Sequence, residues 1–226
     1  MDTAGKVSVP ALRALTYCFL IKAIVSMAMC ACTVANGFVM THPDREIPGL
    51  IVIFVIAQTG RLLNSIMCIL SLANVTALSK RFANAQAFII TGVVIESAIL
   101  LLVGVKAQMA AQSLGKEAEL TGIAIVACIT VRRILKGAGF MQIMKGFGEA
   151  LKKDDLVKQA EGAERLGYAY LLCSIAGALL TLIFKPGVAV NAAFYLSWAV
   201  MDLLMYRRAS SAAFSIWRER AFNDSK

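Results

Sequence analysis

The sequence predicts an all-α integral membrane protein. Six transmembrane helices form three hairpins with both termini cytoplasmic, and a cytoplasmic helical hairpin joins helices 4 and 5. Three observations carry this. Hydrophobic residues make up 59% of the 226 and charged residues 16%, with a mean hydropathy of +0.72; globular chains hold about 45–50% apolar and about 25% charged residues. The apolar residues fall in blocks of about 20, which at 1.5 Å per residue cross a hydrocarbon layer about 30 Å thick. The basic residues gather at alternate ends of these blocks, on the side that the positive-inside rule assigns to the cytoplasm.

Taken in order, span 1 covers about residues 12–40 and contains Lys22. Its length and the spans behind it argue against a cleaved signal peptide. A polar turn with Pro43 and Pro48 leads to span 2, about 49–78, whose helical pattern outlasts the membrane and implies tilt or projection. Span 3, about 84–107, follows the joint Ser79-Lys80-Arg81-Phe82, and a polar connection leads to span 4, about 120–144. A charged extension, 145–165, has Asp154 or Asp155 as a cap and Glu149/Lys153, Asp154/Lys158 and Glu161/Arg165 at the four-residue spacing of a solvated helix. Spans 5 and 6, about 166–184 and 188–206, flank the turn Lys185-Pro186-Gly187. Residues 1–206 thus read as a single membrane domain, and 207–226 as a basic cytoplasmic tail able to form an interfacial helix.

The net charge of +9 would suggest nucleic acid in a soluble chain. Here the expected partner is the bilayer, in a bacterial cytoplasmic membrane, and no nucleic acid. Six cysteines lie in apolar runs without a CxxC pair and read as reduced, buried thiols. His42 is the only histidine, so zinc-protease and Ser-His chemistry lack their residues, and no Walker A motif occurs. No enzyme activity, metal or cofactor is expected.

The chemistry lies in charges deep inside apolar runs. An ionised residue at mid-membrane costs about 2.5–3.5 kcal/mol even on insertion scales, so it needs a partner or a cavity. Arg61 and Arg133 lie about 20 Å from the outer ends of their helices, Asp202 about 21 Å and Glu96 about 15 Å. With Lys22 and Arg132 they fall in one belt, and Asn64 shares the face of Arg61. Three readings follow. Arg61–Glu96 is an ion pair locking helices while Lys22, Arg132, Arg133 and Asp202 snorkel to the interface. Or Lys22, Arg61, Asn64, Glu96, Arg132, Arg133 and Asp202 line a cavity whose surplus positive charge suits an anionic small molecule or lipid headgroup. Or Glu96 relays protons. The expected function is that of a transporter, or transporter subunit, for an anionic or polar solute. The alternative is a non-catalytic scaffold docking a partner protein at Lys145–Arg165. Spans 2–3 and 4–5 also share a weak parallel similarity, Arg61-Leu62-Leu63 against Arg133-Ile134-Leu135.

Overall fold

The computed structural model describes residues 9–41, 50–112, 115–153, 156–183 and 187–223. They form six α-helices: α1 (Val9–Thr41), α2 (Leu50–Ala73), α3 (Lys80–Ala111), α4 (Gly115–Lys153), α5 (Val157–Ile183) and α6 (Val188–Asn223). No strand occurs among the described residues. Four helices hold a segment long and apolar enough to cross a membrane: 10–37, 56–73, 80–106 and 188–218. The architecture is therefore all-α and compatible with an integral membrane protein. His42 and both prolines of the expected turn lie outside the described residues.

Consecutive helices pack on one another and the ring closes through α6, which lies against α1, α4 and α5. The exterior is apolar: Leu101 is 73% and Leu172 67% exposed, whereas Asp202 is fully buried. That inversion of the soluble pattern is what hydrocarbon surroundings require, since lipid solvates leucine and cannot solvate a carboxylate.

Helix ends differ from the sequence expectation in three places. The pattern carries span 2 to Leu78, but α2 ends at Ala73 in tight turns, with Asn74 N bonded to Ser71 O and Val75 N to Leu72 O. The Asn74 amide also bonds the Leu70 carbonyl, a local competitor that suits helix ends. Val75 and Leu78 are buried all the same, so the apolar period outlives the helix. At the other side, α3 and α4 extend through most of the polar connection, to Ala111 and from Gly115. Last, the tail is no separate helix: α6 runs unbroken to Asn223 and buries Ala209, Ala212, Ala213 and Ile216.

The 39-residue α4 is about 58 Å long at 1.5 Å per residue, well beyond a bilayer core. It is sandwiched between α3 and α5, and glycines make the approach close. A Cβ at Gly146 would stand 2.8 Å from the Phe82 ring, and one at Gly167 2.9 Å from Met144 Cβ and 3.2 Å from the Met141 carbonyl. Beyond the apolar stretch, polar ties fasten the same layers. Ser79 caps α3 by accepting from Arg81 N, and its hydroxyl donates to Glu149, which also receives Arg81 Nε at 2.8 Å. Lys152 binds Glu164 at 2.7 Å, and that carboxylate holds the ammonium pKa above its ordinary value.

Candidate functional site

Each helix contributes one stripe to the bundle interior. On α2 the row is Arg61, Asn64, Ser65 and Cys68; on α4 it is Arg132, Lys136 and Phe140, each one turn after the last; on α6 it is Tyr195, Trp198 and Asp202. These spacings of three, four and seven put the polar residues on one face, and bundle closure turns those faces inward.

Two charge clusters result. In the first, Glu96 of α3 receives three cations from two neighbouring helices: Arg61 Nη2 at 3.1 Å, Arg132 Nη1 at 2.9 Å and Lys136 Nζ at 2.7 Å. Arg61 also donates to Gln58 Oε1 at 3.0 Å. Arg133, rotated about 100° from Arg132 along the helix, turns to α5 and donates to the Gly177 carbonyl at 3.1 Å. In the second cluster, Lys22 of α1 binds Asp202 of α6 at 3.1 Å, and the Tyr170 hydroxyl of α5 donates to the same oxygen at 3.0 Å. The Lys22 ammonium lies 4.3 Å from the Phe140 ring centroid, 4.5 Å from Tyr170 and 5.5 Å from Trp198. Such ring faces carry negative charge density and hold a desolvated cation with about 2 kcal/mol or more. Asn64 donates to the Cys18 carbonyl at 3.0 Å and ties α2 to α1.

Both clusters border one cavity of about 130 Å³ to which all six helices contribute. A cavity needs only about 10–15 Å³ on this measure to hold a water, so this one has room for a small solute. Its wall includes all five basic side chains, Lys22, Arg61, Arg132, Arg133 and Lys136; neither Glu96 nor Asp202 borders it. The carboxylates sit behind the cations. Counted together, five positive groups face two negative ones, a surplus of three. Arg132 Nε and Asn64 Oδ1, both on residues of this wall, are buried and have no hydrogen-bond partner among the described residues.

All seven residues singled out in the sequence come to this region. They do not snorkel: Lys22, Arg132 and Arg133 reach into the bundle, and Asp202 is fully enclosed. Three things were missed. Lys136 makes the shortest bond to Glu96, and its place one turn beyond Arg132 was the available signal. The aromatic cage of Phe140, Tyr170 and Trp198 lay on the i+4 rows of Lys136, Ser174 and Asp202. A third cation on Glu96 could not be inferred, because Arg132 and Arg133 are adjacent in sequence and only helix rotation decides which meets the acid. Among the described residues no group of His, Cys, Asp and Glu could hold a metal ion.

No protein-family model matches the chain, and comparison with curated proteins and with solved structures finds no similar protein.

Proposed function

We propose that this protein is a membrane transporter, or the transmembrane subunit of one, for an anionic solute, and that the six-helix cavity is its binding site. The observation that carries the reading is the sorting of charge: five cations on the cavity wall, with both carboxylates behind them. A purely structural network has no need of a surplus of three, nor of open volume beside it. Each charge-assisted hydrogen bond contributes about 1.5–3 kcal/mol, so two or three give millimolar to micromolar affinity.

The six-span topology with cytoplasmic termini belongs to the same proposal. It is supported by the apolar exteriors of the outer halves of α4 and α5, where Leu120 and Ile183 are 66% and 67% exposed. The Lys and Arg bias gives the orientation. Docking of a partner protein at Lys145–Arg165 has less support, because that segment is engaged within the chain. Lys152 pairs with Glu164, Arg165 with Glu161, Lys145 covers Tyr168, and Phe147, Ala150, Leu151, Ala160 and Ala163 are buried.

Uptake of radiolabelled phosphate, sulfate and organic sulfonates into proteoliposomes tests the reading. At least one should enter faster than into protein-free liposomes, and Lys136→Met should slow it by about tenfold or more, the equivalent of one charge-assisted hydrogen bond. Folded, reconstituted protein that carries none of these anions, in either direction, would remove the transporter reading.

A further inference from the structure

The cavity is not cationic throughout. One and two turns along α1 from Lys22, Val25 and Met29 border it, joined from α6 by Tyr195. Val25 and Met29 belong to a small buried apolar cluster with Ala57 of α2, on which Tyr195 packs. By helix register this cluster lies on the side of the basic belt nearest the α1 C-terminus and the α6 N-terminus. The cage rings on the opposite side are taken up by the Lys22 ammonium. One apolar wall is therefore spoken for and the other is free to meet a ligand.

We infer that the solute is an amphipathic organic anion: one anionic headgroup seated among Arg61, Arg132 and Lys136, carrying an apolar body about the size of one ring that lies against Val25, Met29 and Tyr195. The inference rests on the anion-site reading above and narrows it. A hydrated inorganic oxyanion would leave the Val25–Met29–Tyr195 wall wet and gain nothing from it, whereas an attached ring removes that surface from water. The volume limits the apolar body: about 130 Å³, against the roughly 150 Å³ apolar cavity that accommodates benzene in another protein, leaves room for no more than one ring. The charge pattern also fits, because Tyr195 brings an aromatic ring to the wall that holds the belt, without a carboxylate that would repel the headgroup. Tyr, Met and Val at this spacing supply area and polarisability with no fixed directionality.

Titration calorimetry on the full-length protein in neutral detergent tests this with three ligands of related headgroup: inorganic sulfate, methanesulfonate and benzenesulfonate. All three stay ionised across the working pH range, so passive partition of a neutral acid does not confuse the result. Benzenesulfonate should bind about tenfold or more tightly than methanesulfonate, as burial of a ring against an apolar wall implies. Tyr195→Ser should erase most of that ratio by weakening benzenesulfonate more than methanesulfonate. Val25→Thr, nearly the same shape, makes the same comparison should the tyrosine variant not fold. Equal binding of sulfate, methanesulfonate and benzenesulfonate would overturn the inference and leave the anion site standing. A preference for the ring that survives both substitutions would also overturn it, since the body would then lie elsewhere. Failure of all three ligands to bind would overturn the anion-site reading itself, and this inference with it.

Discussion

Replacing Glu96 with alanine should lower the unfolding free energy by about 3–5 kcal/mol, the cost of leaving buried charge without its partner. The reason is arithmetic in one place: Arg61, Arg132 and Lys136 meet at this single carboxylate, which is 10% exposed. Without it, three cations from two helices face one another in a poorly solvated interior, and their mutual repulsion adds to their lost hydrogen bonds. The effect should be partly reversed in Glu96→Ala with Lys136→Met, because one of the stranded charges is gone. Unfolding in mixed dodecylmaltoside and dodecyl sulfate micelles measures both, and a double variant as unstable as the sum of its parts would show that the two do not interact.

Lys22→Met should cost nearly as much, and clearly more than Asp202→Asn. The asymmetry follows from what each substitution leaves behind. Asp202 is fully buried, and without Lys22 it keeps only uncharged hydroxyl partners among the described residues, Tyr170 and Ser26, which cannot balance a charge. Lys22 keeps three ring faces and 23% exposure when Asp202 is neutral, so its charge retains favourable surroundings. About 3–5 kcal/mol for Lys22→Met against about 1–2 for Asp202→Asn is the expected order. The same micelle titration reads it, and the reverse order would mean that the aromatic cage does not stabilise the ammonium.

These two clusters also show what a sequence can and cannot disclose. Charges inside apolar runs stand out because lipid makes them expensive, so Lys22, Arg61, Glu96 and Asp202 could be placed by depth alone. Depth does not give rotation. Arg132 and Arg133 share a depth but point about 100° apart, and only packing sends the first to Glu96 and the second to the Gly177 carbonyl. Aromatic residues in an apolar helix look like packing until a cation is found among them, which is why Phe140, Tyr170 and Trp198 carried no signal. Helix ends were blurred for a related reason. Val75 and Leu78 keep the apolar period through a turn, and Ala209, Ala212 and Ile216 keep α6 packed where composition alone reads as a basic tail.

Charge-selective labelling inside the cavity tests the central claim most directly. Ser26 is half-buried, borders the cavity and carries no charge, so Ser26→Cys, with the native cysteines replaced, samples the site while keeping every ion pair and a hydrogen-bonding group beside Asp202. In intact membranes this thiol should react with a small anionic methanethiosulfonate severalfold faster than with a cationic one of equal size. A surplus of three positive charges in a weakly screened space attracts the one and repels the other. Benzenesulfonate should slow the anionic reaction. A thiol that reacts with neither reagent in folded protein, or faster with the cation, would contradict an open anion site in this bundle.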